Sequence, residues 1–236
     1  MNATLFAALL HQRARSPARV ALALATFLMP LLPLAFVGNV GLAPLRSSVW
    51  FAYLMATGLI GQEYSSGTLH LVLARPVTRA SFALSRWLAA ALGACCLAVV
   101  QLAIGVALLS THGGAPESRA VALFAAQQVL AIFGTTSVLL LFSSLLPGVG
   151  DFFGVWALGI VGGAVTAAGK LQEKPWLARA GEELQRFGSP TLDLNPLFGT
   201  GPVSWFEVVS YLSTVTLCLA LAIVILNRRE ISYATG

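Results

Sequence analysis

Apolar residues in this chain come in long unbroken runs, not in alternation and not as narrow stripes. Six runs stand out: Val20 to Val37, Val49 to Ile60 with weaker flanks from Leu45, Trp87 to Leu109, Val121 to Leu146, Phe152 to Ala168, and Trp205 to Leu226. A helix needs about 20 mainly apolar residues to cross a hydrocarbon core about 30 Å thick. Six helical spans are therefore the economical count for 236 residues. The third run is the most secure, with Leu, Ile or Val at nine positions from Leu88 to Leu108 against a single interior Gln101. The fifth is the weakest, because Gly154, Gly159, Gly162 and Gly163 interrupt it, and re-entry without crossing competes with a span.

The segments between and before the runs complete this outline. Leu5, Phe6, Leu9 and Leu10 share one helical face, which predicts an interfacial helix within residues 1–19. Residues 61–81 connect spans two and three on the cytoplasmic side, and residues 169–204 form a longer external segment between spans five and six. Within that external segment, Pro175 and Gly188 are the expected start and stop of a short helix over Trp176 to Phe187. The expected fold class is an all-α integral membrane protein, with residues 1–236 as one transmembrane domain.

Composition removes the soluble alternatives. Hydrophobic residues make up 57% and charged residues 10%, with a mean hydropathy of +0.82. Soluble domains carry about 25% charged residues, and disorder requires low hydrophobicity with high charge. No polar stretch approaches the roughly 100 residues that a nucleotide-binding or catalytic domain needs.

The net charge of +5 comes from Lys and Arg at the ends of apolar runs, the positive-inside pattern and not a nucleic-acid patch. With six spans and a cytoplasmic N-terminus, Arg13, Arg15, Arg19, Arg75, Arg79, Arg86, Arg228 and Arg229 lie inside, against Arg46 and Arg119 in short outer loops. Removing span five would satisfy the rule about as well, by bringing Lys170, Lys174, Arg179 and Arg186 inside. The first run is long for a signal peptide and contains Pro30 and Pro33, so it reads as a retained signal anchor.

Candidate chemistry is sparse. His11, His70 and His112 form no metal motif, and Cys95, Cys96 and Cys218 sit inside apolar runs as small hydrophobes. Gly163 to Lys170 fails as a phosphate loop, with one residue too many between its glycines and Leu171 where Ser or Thr is required. Asp151 and Glu207 fall near span ends, where hydrated interface is the expected setting. No catalytic residue, metal site or cofactor is expected in this chain. Gln127, Gln128, Thr135, Thr136, Ser137, Ser143 and Ser144 make span four polar, and such groups bond mostly to neighbouring helices or their own backbone. In span five, Gly150 with Gly154, and Gly159 with Gly163, are small-xxx-small spacings suited to close helix approach, within the subunit or at a dimer seam.

The most informative stretch runs from Gly61 to Arg79. Leu69, Val72, Leu73 and Pro76 fall at helical i, i+3, i+4, i+7 positions, and Ser65 or Ser66 is positioned to cap a short amphipathic helix. Thr78 then offers a cap for span three, with Arg79 and Arg86 near the headgroups. Glu63, Gly67-Thr68-Leu69, Leu71 to Leu73, Pro76-Val77 and Arg79 resemble the E-x-x-x-G-T-L-x-x-L-L-x-x-P-V-x-R run of ABC-2 type permeases, the membrane subunits of one class of ATP-binding-cassette exporters. The resemblance extends to the span layout and covers nearly the whole chain. Tyr64, Ser65 and Ser66 stand where charged residues are common in that run, and His70 where an acid is frequent.

The resemblance implies a coupling helix that seats in a groove of a separate cassette ATPase. Leu69, Val72 and Leu73 would be the seated side chains, Glu63 the hinge-side carboxylate and Arg79 the anchor of span three. It further implies pairing with a second permease copy, alternating access driven by ATP and Mg on the partner ATPase, and a multi-pass place in the bacterial cytoplasmic membrane with both termini cytoplasmic. A non-transporting anchor or assembly scaffold, and an ATP-independent channel or carrier, remain the competing functional classes.

Overall fold

The structure is a computed structural model and describes residues 17–37, 41–67, 78–112, 114, 116–198 and 205–228. Those residues form helices and connecting turns, with no strand among them. In chain order the helices are α1 (Pro17–Leu28), α2 (Leu31–Phe36), a 3-10 turn (Ala43–Leu45), α3 (Ser48–Ala56), α4 (Gly61–Ser65), α5 (Arg79–Thr111), α6 (Ser118–Leu145), α7 (Gly150–Leu171), α8 (Pro175–Gly188), α9 (Asn195–Phe198) and α10 (Trp205–Arg228). Five stretches are long and apolar enough to cross a membrane: the α1–α2 stretch Pro17–Phe36, α5, α6, α7 and α10. The expected interfacial helix before Pro17 lies outside the described residues.

Several helix ends follow local chemistry. Thr78 caps α5 by accepting a hydrogen bond from the Ser81 backbone N–H at 3.2 Å, as its position predicts. Pro175 opens α8 and Gly188 is its last residue, in agreement with the sequence expectation. Pro30, which has no N–H to donate, separates α1 from α2. The glycine-rich fifth run forms the continuous 22-residue α7, so it is long enough to cross.

The second run is the one that breaks. α3 has only nine residues, about 14 Å of helix at 1.5 Å per residue. Thr57 to Ile60 then turn before the short α4. This segment is nonetheless deeply placed, since Phe51, Ala52, Ala56, Leu59 and Ile60 are all fully enclosed.

α6 is the hub of the bundle. Of its most apolar 18-residue stretch 67% is buried within the chain, against 11 to 28% for the other four candidate spans. α3, α5, α7 and α10 all pack on it. Its polar residues Thr135, Thr136, Ser137, Ser143 and Ser144 are fully enclosed. Three of them return their hydroxyls to the helix itself: Thr136 donates to Ile132 O at 2.8 Å, Ser137 to Gly134 O at 2.7 Å and Ser144 to Leu141 O at 2.6 Å. Those groups are satisfied locally, as uncharged polar residues in spans usually are.

α8 folds back along α7 as an antiparallel partner. Gly169 lies against Ala178, Gly162 against Gly181 and Gln185, and Gly188 against Val155 and Leu158. Pro190 then sits beside Gly134 in the middle of α6. The segment after α7 therefore descends between the long helices instead of resting across their ends. Its charged residues Arg179, Glu182 and Arg186 point away from α7 and are exposed.

Candidate functional site

The break in the second run exposes backbone N–H groups that an unbroken helix would have paired. Side chains far away in sequence receive them. The Gly58 N–H donates to Asp151 Oδ2 at 2.6 Å, and the Ile60 and Gly61 N–H groups both donate to Ser143 Oγ, at 2.9 and 3.0 Å. Gly58 has a φ of +70°, a left-handed conformation that favours glycine. Asp151 is fully buried, and its other oxygen accepts from the Phe152 N–H at 2.9 Å. Arg19 lies within electrostatic reach of it. The expectation of a hydrated span-end setting for Asp151 is thus corrected: a helix break needs a buried acceptor, and this carboxylate supplies it.

Gly61 makes the closest connection at this junction. Its carbonyl accepts a hydrogen bond from the Gly148 N–H at 2.7 Å. A β-carbon on Gly61 would stand 2.7 Å from the carbonyl oxygens of both Leu146 and Gly148, so only glycine allows the two backbones to meet. The start of α4 is fastened in this way to the turn between α6 and α7.

Two residues from the family-like run are anchored at the same end of the bundle. Glu63 forms an ion pair with Arg86 of α5, and both are about nine-tenths buried. The Arg86 guanidinium also lies 5.2 Å from the centre of the Phe82 ring. Arg86 was expected near the headgroups, but the inward carboxylate of Glu63 draws it into the protein. Arg79 Nη1 donates to the Leu226 carbonyl at 2.6 Å and the Asn227 carbonyl at 3.1 Å. A cation on the last carbonyls of α10 also complements its helix dipole.

Gly67 is exposed with a φ of +68°, directly after the α4 turn. Residues 61–65, expected to be part of a connector, are helical, with Ser65 the last residue of α4; the amphipathic helix that Ser65 or Ser66 is expected to cap lies outside the described residues. Thr68, Leu69, Val72, Leu73 and Pro76 lie outside the described residues. Sequence reasoning missed Gly58, Gly61, Ser143 and Gly148, and misjudged Asp151 and Arg86.

The glycines singled out in span five divide between two settings. A β-carbon at Gly150 would meet Leu146, and one at Gly154 would meet Phe142 at 2.7 Å, both on the chain's own neighbouring turn. Gly163 approaches only the end of Gln185, while Gly159 has open space before it. The tight seam within the chain sets Gly162 against Gly181 and Gly169 against Ala178 of α8. Phe153, Trp156 and Ile160 are exposed beside Gly159. Gly159→Leu should therefore leave the isolated chain at least as stable, measured by thermal unfolding in detergent. Loss of subunit crosslinking at undiminished stability would mark this face as the seam with a second copy.

Two polar cavities open at the other end of the long helices. One, of about 340 Å³, lies between Arg46 to Val49, α6 and the chain after α8. The second, of about 310 Å³, lies between α8 and α10 and includes Glu183, Arg186, Glu207 and Tyr211. Thr191 and Asp193 line both. Among the described residues, no group of three or more His, Cys, Asp or Glu side chains gathers as a metal ion would need.

The chain matches no protein-family model, and it has no significant sequence match among curated proteins.

Proposed function

We propose that this chain is the permease subunit of an ABC-2 type exporter, working as a pair with a second copy and with separate cassette ATPases that hold ATP and Mg. The observation that carries the reading is the convergence around Glu63 and Arg79. Residues 68–77, where the coupling helix is expected, are bracketed by two anchored ends. On one side Glu63 ties to α5 through Arg86, and Gly61 ties to the α6–α7 turn through Gly148. On the other, Arg79 begins α5 and holds the last carbonyls of α10.

A force applied to this segment would thus reach α5, α6, α7 and α10 together. Closure of the ATPase dimer would supply that force, and hydrolysis would release it. None of the steps assigned to this chain involves covalent chemistry.

A sixth crossing built from α3, the Thr57–Ile60 turn and α4 accords with this reading. Broken helices are tolerated at membrane depth where protein surrounds the break, and Leu59 and Ile60 are fully enclosed. Six crossings would put both termini on the cytoplasmic side of a bacterial inner membrane, next to the basic residues of the first and last segments.

The test is association with the ATPase. Leu73→Asp would set a charge against an apolar groove, at a cost of a few kcal/mol or more if unpaired. The variant should insert normally and lose co-purification with its ATPase and ATP-driven transport. Unchanged association would assign that face to lipid. Transport by the purified chain without ATP would favour a channel or carrier, and association without transport a scaffold.

A further inference from the structure

The 340 Å³ cavity holds an unusual pair of charges. Asp193 Oδ1 accepts hydrogen bonds from Gln127 Nε2 and from the Asn195 backbone N–H, both at 2.9 Å. Its Oδ2 accepts none from the described residues. Arg46, on the segment before α3, lines the same cavity and forms no ion pair with Asp193 or with any other described residue. Gln128 lies between these segments; its Oε1 accepts from the Ser48 N–H at 3.2 Å, and its amide nitrogen donates to none of the described residues. An anion held in position by two donors and an unpaired cation therefore share one cavity, with amide groups between them and Val49, Ala131 and Leu192 as an apolar wall.

We propose that this cavity binds a small soluble zwitterion, a free amino acid or short peptide, with its ammonium on Asp193 Oδ2 and its carboxylate on Arg46. Charge-assisted contacts at both ends would fix the ligand's direction, and the guanidinium suits a carboxylate in bidentate geometry. The volume falls within the roughly 300–1,000 Å³ of small-molecule sites. Gln127 and Asn195 position the carboxylate beforehand, which reduces the ordering cost of binding. The site requires neither the coupling segment nor an ATPase, so it stands independently of the exporter reading.

The experiment uses the full chain with Cys95, Cys96 and Cys218 replaced and Thr191→Cys introduced, reconstituted in phosphatidylglycerol discs. Glycylglycine should slow alkylation of that cysteine by an impermeant maleimide about tenfold once it reaches about ten times its Kd. N-acetylglycine, which lacks the ammonium, and glycinamide, which lacks the carboxylate, should not. Arg46→Gln and Asp193→Asn should each remove the protection, and Asp193→Asn keeps an oxygen for Gln127 and Asn195, so the loop retains its bonds. Absence of slowing, or equal slowing by the singly charged analogues, would overturn the proposal. So would slowing by phosphatidylethanolamine discs without added peptide, which would assign the cavity to a lipid headgroup.

Discussion

Replacing Glu63 with Gln should destabilise the protein by about 3–5 kcal/mol, the cost of leaving one member of a buried ion pair without its partner. Arg86 is only 8% exposed, so water cannot take over from the missing carboxylate. Arg86→Met should also destabilise the protein, by removing the guanidinium that faces the buried Glu63 carboxylate. The double variant Glu63→Gln/Arg86→Met should recover most of the loss, because replacing both charges with neutral side chains of similar volume is often neutral or stabilising. A double-mutant cycle from unfolding in detergent therefore should give a coupling energy above about 2 kcal/mol. If the two single costs simply add, the pair contributes nothing to the junction. The same double variant separates stability from coupling. Under the exporter reading it should fold well and still show weakened ATP-driven transport, since the tie from α4 to α5 is gone.

The second large effect is expected at the seam between α7 and α8. A β-carbon at Gly181 would lie 2.5 Å from Thr166 N and 2.6 Å from Gly162 O, and one at Gly169 would meet the Ala178 backbone. Backbone atoms cannot rotate aside as a flexible side chain can. Gly181→Ala and Gly169→Ala should each cost at least the 1–3 kcal/mol typical of overpacking. At about 2–4 °C per kcal/mol for a chain of this size, each should lower the unfolding temperature by several degrees. Gly159→Ala on the same helix is the matched control and should hold or raise it, because Ala is favoured over Gly in a helix interior by about 1 kcal/mol where nothing obstructs the β-carbon. Equal rises at all three positions would mean that helix propensity, not the seam, sets the response.

What could be read from the sequence was local. The cap at Thr78, the Pro175 start and the Gly188 end of α8 depend on residues within a turn of one another, and those expectations match the structure. The long apolar runs marked α5, α6, α7 and α10, because lipid-compatible composition needs no knowledge of neighbours. The break after Ala56 was not legible. Its signal is one glycine in an apolar run, while the groups that stabilise the break, Ser143 and Asp151, lie 83 and 93 residues from the N–H groups of Ile60 and Gly58. Arg86 and Asp151 misled for a related reason: a charge at the end of an apolar run looks the same whether it meets headgroups or a buried partner. The glycines of α7 allowed more than one packing register. The i, i+4 pair Gly159 and Gly163 was the conspicuous spacing, but α8 meets the i, i+7 pair Gly162 and Gly169.

The way α6 satisfies its hydroxyls has a mechanical consequence. Thr136 and Ser137 bond to their own helix, so the stretch of α6 between Leu130 and Ser143 makes no side-chain hydrogen bond to a neighbouring helix among the described residues. Its cross-links cluster elsewhere: Ser143 to the broken segment, Gln127 and Gln128 to Asp193 and Ser48, and the Leu130 carbonyl to the Tyr211 hydroxyl at 2.7 Å. Between Leu130 and Ser143 α6 resembles an axle with lubricated flanks, pinned on either side of that stretch. Neighbouring helices could slide or roll against that stretch without exchanging hydrogen bonds in a medium where a broken one has no water to replace it. Friction between alternative arrangements of the bundle would then concentrate at the pins, and the barrier between those arrangements should respond most to changes at Ser143, Gln127 and Tyr211.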